Sequence, residues 1–296
     1  MPTTFLLSVV CLLALAVATS SALPSTATIG DAKPVNLGAF GANNNNATVE
    51  NKPAEPEYRA LIKALGITQM RYIGGSSSSY WDWQTGKYVS EPEITKIWPA
   101  EHGNWMLPLV ADVAKLPDGT LSPMNYADFA KAADVDVQWM VNLTTRENEQ
   151  TEMFEHLKGA GEAVKFVELD NETYFWGGEF GGGEDRARNY MDRAAPLGHA
   201  IRELYPDARI GVVASENGMF NADMHGDGKS EEHFTLWNGV VMRDVYAGSF
   251  DAFVLHHYVM RDGALDDMDS ADPAVLGQGF LTCPQLTLER AAARLD

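Results

Sequence analysis

Six times along this chain a short apolar run ends in polar or glycine-rich sequence, and segments of helical periodicity separate the runs. That alternation constrains the fold more than any other feature. The runs are residues 34–40 (PVNLGAF), 69–73 (QMRYI), 137–143 (VQWMVNL), 164–169 (VKFVEL), 209–214 (RIGVVA) and 250–258 (FDAFVLHHY). Between them, residues 55–65, 125–133, 152–163, 185–205 and 234–246 carry apolar side chains at helical spacing. Gly66 is a C-terminal stop for the first of these helices, and Pro206 lies just beyond the fourth. Strands alternating with helices predict an α/β protein with a parallel sheet and helices packed outside it.

Where the polar residues fall separates an open sheet from a barrel. Side chains able to do chemistry cluster at the C-terminal ends of the strands: Asn43 to Asn46, Ser76 to Trp83, Asn142 to Arg146, Asn171-Glu172, Ser215 to Asn217 and His256-His257-Tyr258. In a (β/α)8 barrel those ends converge on one face, whereas an open sheet brings them together only at a switch point. No glycine-rich dinucleotide turn follows the first strand, and no phosphate loop occurs. The glycine-rich residues 177–183 (GGEFGGG) follow an aromatic stretch and read as a flexible active-site loop. The expectation is a (β/α)8 TIM barrel.

Charge and composition narrow the partners. The chain has 22 Lys plus Arg against 41 Asp plus Glu, a net charge of −19, which argues against nucleic acid and anionic membranes as partners. With 45% apolar residues, disorder is excluded. Residues 5–17 are almost unbroken apolar sequence followed by small residues, the pattern of a secretory signal cleaved near Ala22. The run is shorter than the about 20 residues that a membrane span requires. The expected organisation is a signal peptide over 1–22, a single barrel domain over 23–296, and a secreted product. Cys11 falls in the signal, so Cys283 stands alone and no internal disulfide is expected. Asn46, Asn142 and Asn171 each begin an Asn-X-Thr glycosylation pattern. The one at Asn171 coincides with the best catalytic candidate and reads as a chance match.

That candidate is residues 164–175, VKFVELDNETYF, a buried strand running into Asn171-Glu172 with Tyr174, Phe175 and Trp176 just after. A carboxylic acid against aromatic surface is desolvated and becomes a better general acid near neutral pH. Asn171 offers an amide for a substrate hydroxyl, and the aromatic rings can stack on a sugar. An ordinary acidic surface loop is the plainer alternative. A second feature is residues 70–86, MRYIGGSSSSYWDWQTG, where Arg71 lies early in a strand and Trp81, Asp82 and Trp83 share one loop; a structural aromatic cluster is the alternative there. Adjacent His256 and His257 point to opposite sides of a strand, so a His or Tyr258 orienting a carboxylate is favoured over a metal site. Residues 223–228 faintly resemble a calcium loop, but Phe234 stands where its last ligand is needed. No Gly-x-Ser-x-Gly elbow occurs. Neither metal nor cofactor is expected.

These residues carry a resemblance. VELDNETYF resembles the Asn-Glu acid/base motif of the large clan of retaining (β/α)8 glycoside hydrolases, in which it closes the fourth strand, and here too its strand is the fourth. The segment MRYIGGSSSSYWDWQTG is similar to the corresponding loop of heparanase-like and arabinofuranosidase-like members, with Ile73 where Pro is usual. The resemblance implies a carbohydrate substrate, with Glu172 as general acid/base and Asn171 as hydroxyl-binding neighbour. It also implies Tyr258 near the nucleophile, His256 or His257 lining the sugar site, and Arg71 beneath the site keeping the nucleophile ionised. Tyr174, Trp176, Trp81, Trp83 and Asp82 complete the expected sugar-binding set.

The resemblance also requires a nucleophilic Glu at the end of a seventh strand, and none is legible. Glu216 closes the fifth strand, and Glu289 lies in a helical pattern. A full barrel takes about 250 residues, but long loops consume the length here, and only residues 259–296 follow the sixth strand. The expectation is therefore an incomplete barrel of about six βα units, truncated at its C-terminal side. The alternative is a non-catalytic carbohydrate-binding protein on a degenerate barrel, its Trp81, Trp83 and Trp176 stacking on sugars. The oligomeric state is left open.

Overall fold

The structure is a computed structural model, and it describes residues 41–43, 52–97, 106–175, 180, 183–215 and 230–256. All of these fall within one compact unit, residues 35–256. Strand β1 (Gly41–Asn43) is followed by helix α1 (Pro56–Ala64) and β2 (Gln69–Tyr72). A small hairpin, β3 (Trp81–Asp82) and β4 (Lys87–Tyr88), leads to α2 (Glu91–Ile97) and α3 (Met106–Val113). Then come α4 (Pro123–Ala133), β5 (Asp136–Met140), α5 (Gln150–Gly159) and β6 (Phe166–Leu169). Helix α6 (Gly183–Leu204), β7 (Arg209–Ala214), α7 (Ser230–Tyr246) and β8 (Ala252–Leu255) complete the described chain.

The six long-range strands form one sheet in the order β1-β2-β5-β6-β7-β8, every pair parallel. Each new strand joins the edge left by the one before, with no reversal of direction across the sheet. A doubly wound sheet must reverse, so this is the winding of a barrel. Six parallel strands curl into a half-barrel with helices between them, as the alternation in sequence predicts.

Register sorts the side chains into two layers. Arg71 pairs with Gln138, Glu168 with Gly211, and Gly211 with Ala252, so these positions share the inner face. The alternate positions, Met70, Tyr72, Trp139, Val167, Leu169, Ile210 and Val212, are fully buried in the apolar core. Burying one such aliphatic or aromatic side chain contributes about 1.5–3 kcal/mol. The outer layer therefore carries the stability, and the inner layer is left able to hold charge. Gly211 keeps room on the inner face: a Cβ there would stand 2.6 Å from Val254 Cγ2.

Element boundaries follow local chemistry. Ser122 caps α4 by accepting a hydrogen bond from the Asn125 N–H, Pro123 opens the helix, and Asp134 ends it in the left-handed conformation. The structure departs from the sequence reading at the two sheet edges and in the aromatic loop. Strand β1 is observed at Gly41–Asn43, where a loop was expected, and residues 34–40 lie outside the described residues. Strand β8 ends at Leu255 rather than at Tyr258. The hairpin and helices α2 and α3 had no clear periodic signal. The hairpin turns on Asp82, whose Oδ1 accepts hydrogen bonds from the backbone N–H groups of Gln84 and Thr85. Among the described residues no helix is long and apolar enough to cross a membrane.

Candidate active site

The site is built on the inner face and at the C-terminal ends of β2, β5, β6 and β8. Its centre is Glu168, a lone acid in the otherwise apolar strand β6, 1% exposed. A buried carboxylate is costly unless its oxygens are satisfied. Here Oε2 accepts from Arg71 Nε (2.9 Å) and Gln138 Nε2 (2.6 Å), and Oε1 accepts from Arg71 Nη2 (2.5 Å). The ring of His256 brings Nε2 within 3.0 Å of the same Oε1. Burial pushes the Glu168 carboxyl up, but the Arg71 charge and the hydrogen bonds from His256 and Arg71 outweigh it and hold the group below the usual carboxylate range.

After β6 the backbone makes an unusual turn. Asp170 has φ 71° and Glu172 has φ 49°, so two non-glycine residues in the left-handed region flank Asn171. Each costs about 1–2 kcal/mol and persists only where surrounding contacts enforce it. Asp170 supplies those contacts. Its Oδ1 accepts from Ser79 Oγ (2.8 Å) and the Asn171 N–H (2.7 Å), and its Oδ2 from the Leu143 N–H (2.8 Å) and Thr144 Oγ1 (2.9 Å). One buried carboxylate thus ties the ends of β2, β5 and β6 together. Burial raises its pKa despite these four bonds, which act the other way.

The turn presents Asn171 and Glu172 to the end of the sheet. Asn171 Oδ1 accepts from Arg71 Nη2 (2.9 Å), which orients the amide with its NH2 toward Ser76 Oγ (3.4 Å). Glu172 is 7% exposed, and its Oε1 lies 3.0 Å from His256 Nδ1. His256, the residue after β8, therefore stands between two carboxylates. Burial pulls its pKa down, but the hydrogen bonds to Glu168 and Glu172 more than offset that, and the net effect raises it to about 9.

Of the side chains expected to form a site, Arg71, Asn171, Glu172 and His256 come together. Among the described residues Arg71 serves Glu168 and Asn171, and its expected seventh-strand partner lies outside them. Trp81 is a core residue, 5% exposed, its indole N–H donating to Tyr72 Oη and its ring edge-on to Tyr88. Tyr174 is buried edge-on to Trp237. A ring with covered faces offers no platform for a sugar, so these two are corrected to packing residues. Trp83 packs 6.0 Å from His156 and donates to the Glu149 carbonyl, on the hairpin rather than at the carboxylates. Asp82 holds the hairpin turn. The Asn142 amide is buried and bonded to the Trp81 carbonyl and Thr145 Oγ1, so this glycosylation pattern is closed in the folded chain, as is the one at buried Asn171. Trp176, His257, Tyr258, Glu216, Cys283 and Asn46 lie outside the described residues.

Glu168, Gln138 and Asp170 were not among the expected site residues. A usable signal existed for the first: a single charged residue inside an apolar strand has to find partners. No group of three or more His, Cys, Asp or Glu that could hold a metal occurs among the described residues.

No protein-family model matches the chain, and no curated protein sequence matches it. Among solved structures it is similar to a family 51 α-L-arabinofuranosidase from Bifidobacterium longum, with 16% identity and a TM-score of 0.45, over 73% of this chain and 40% of that one. A family 44 xyloglucanase from Paenibacillus polymyxa matches at 12% identity and TM-score 0.45, over 76% and 52% of the two chains. A family 51 arabinofuranosidase from Xanthomonas axonopodis pv. citri matches at 15% identity and TM-score 0.45, over 70% and 39%. The chain spans about two-fifths to one-half of the length of these proteins.

Proposed function

We propose that this chain carries the acid/base half of a retaining glycosidase acting on the O-glycosidic bonds of a polysaccharide. One observation carries the reading: Asn171 and Glu172 stand side by side at the C-terminal end of β6, fixed by Arg71 and His256. In a retaining mechanism an acid protonates the leaving oxygen while a second carboxylate attacks the anomeric carbon, and the first group then deprotonates the hydrolytic water. Glu172 fills the first role. Asn171, its carbonyl oxygen bonded to Arg71 and its NH2 turned toward Ser76, is the neighbour that binds a hydroxyl of the sugar. Glu168 is unsuited to be the nucleophile, because it is buried and its oxygens are taken up by Arg71, Gln138 and His256. The nucleophile belongs outside the described residues, and the sequence resemblance places it on a seventh strand.

The apolar leader at residues 5–17 supports secretion with cleavage near Ala22, and retention of the whole protein, leader included, inside the producing cell would refute that. The functional test takes a form of the protein that carries the nucleophile and hydrolyses an oligosaccharide with a poor leaving group, and compares it with its Glu172→Gln variant. The substitution is expected to lower kcat by about 10²–10⁴. Equal turnover by the two proteins would remove the assignment.

A further inference from the structure

Acid/base chemistry at Glu172 leaves Glu168 unused, although four nitrogen atoms, from Arg71, Gln138 and His256, converge on its carboxylate. We propose that Glu168 is a positioning residue that locks His256 in the Nε2–H form, making His256 Nδ1 the store for the one proton that it shares with Glu172 Oε1. This rests on Glu172 being the acid/base.

The geometry allows one assignment of hydrogens. Arg71 Nη2 carries two, and it meets three atoms: Glu168 Oε1 at 2.5 Å, Asn171 Oδ1 at 2.9 Å and His256 Nε2 at 3.2 Å. The two oxygens are acceptors only and take both hydrogens. Among the described residues His256 Nε2 then has no hydrogen directed at it, while a carboxylate oxygen stands 3.0 Å away. It must therefore donate, and the proton on Nε2 is held against Glu168. Nδ1, 3.0 Å from Glu172 Oε1, is left as the nitrogen whose protonation can change. Among the described residues the charged groups facing this ring are Arg71 from β2, Glu168 from β6 and Glu172 from the turn after β6.

Nδ1 and Oε1 together hold one proton at rest. For the acid step the Nδ1–H bond breaks, its electron pair stays on nitrogen, and an O–H bond forms on Glu172, leaving a neutral imidazole protonated at Nε2. That proton goes to the leaving oxygen of the sugar. In the second step the attacking water gives its proton back to the same pair, and the cycle closes without another reactant. Glu168 never accepts a proton in this scheme. It keeps the ring from flipping or switching tautomer, so that Nδ1 always faces Glu172.

The test is a pH titration of the protein labelled with ¹⁵N-histidine, read by long-range ¹H–¹⁵N correlation, with His256 identified as the signal missing from His256→Asn. In the wild type, Nε2 should stay protonated on both sides of the transition, and Nδ1 alone should titrate, near the value of about 9 expected for this ring. A neutral form protonated on Nδ1, or a midpoint at the ordinary histidine value, overturns the proposal without any variant. In Glu168→Gln the midpoint should fall by about 1–3 pH units, and Glu168→Asp, which keeps the charge, should recover part of the shift. A folded Glu168→Gln protein with an unchanged midpoint also overturns it. The readout requires no substrate, so an active Glu172→Gln enzyme, which would refute the acid/base reading, is a separate and distinguishable result.

Discussion

Arg71 and Glu168 form a two-point ion pair across the sheet, Nε to Oε2 at 2.9 Å and Nη2 to Oε1 at 2.5 Å, with strand β5 lying between their own strands. The fork of the guanidinium matches the carboxylate, and a Lys cannot reproduce it. Removing one partner of such a pair leaves a buried charge without its counter-ion, at a cost of about 3–5 kcal/mol. Arg71→Met is expected to lose that much in urea unfolding, and Arg71→Lys to recover only part. A loss below about 1 kcal/mol, the range of an exposed pair, would show that Glu168 is not the hub of the site.

Asp170 separates two explanations of the turn after β6. If its left-handed backbone were the whole story, Asp170→Gly would stabilise the protein, because glycine adopts φ 71° without strain. The four hydrogen bonds to its carboxylate point the other way, since bonds to charged groups contribute about 1.5–3 kcal/mol each and only part of that is recovered by water. Asp170→Gly should therefore lose at least about 2 kcal/mol in thermal or urea unfolding. Equal or higher stability would mean that the carboxylate does not tie the strand ends together.

His256 makes stability depend on pH on the alkaline side. Its pKa rises from an ordinary 6.5 to about 9 on folding, so the folded protein holds a proton that the unfolded chain has already released. The stabilisation is fully present below pH 6.5 and is lost as pH rises through about 9. The displacement is worth about 3 kcal/mol. His256→Gln should flatten the decline in stability between those two values, seen as a smaller drop in urea midpoint. An undiminished decline would place its cause elsewhere.

The winding of the sheet and the meeting of four side chains of the candidate site were legible in the sequence, and the reason lies in where those residues sit. Arg71, Asn171, Glu172 and His256 lie in strands or at their C-terminal ends, and a parallel barrel gathers those ends on one face, so position alone predicted that they would meet. Glu168 and Gln138 lie mid-strand, where an apolar neighbourhood reads as core, and only the register shows that they share the inner face with Arg71. Trp81 and Tyr174 misled for the opposite reason. They lie next to the site in sequence, but a large ring beside a packed hairpin or helix is buried more favourably than it is left to a ligand. Asp170 was hidden because a left-handed backbone has no signature unless glycine occupies the position.

Rescue by an external anion distinguishes Glu172 as the acid/base from a residue that only shapes the site. Glu172→Ala should still cleave aryl glycosides with good leaving groups in the first step but stall in the second, which requires a base. Azide, which attacks without one, should restore turnover and yield a glycosyl azide of retained configuration, seen by ¹H NMR. No rescue, with turnover on poor leaving groups equal to the wild type, would rule out that role for Glu172. A form of the protein that carries the nucleophile, binds oligosaccharides and cleaves none would contradict it equally.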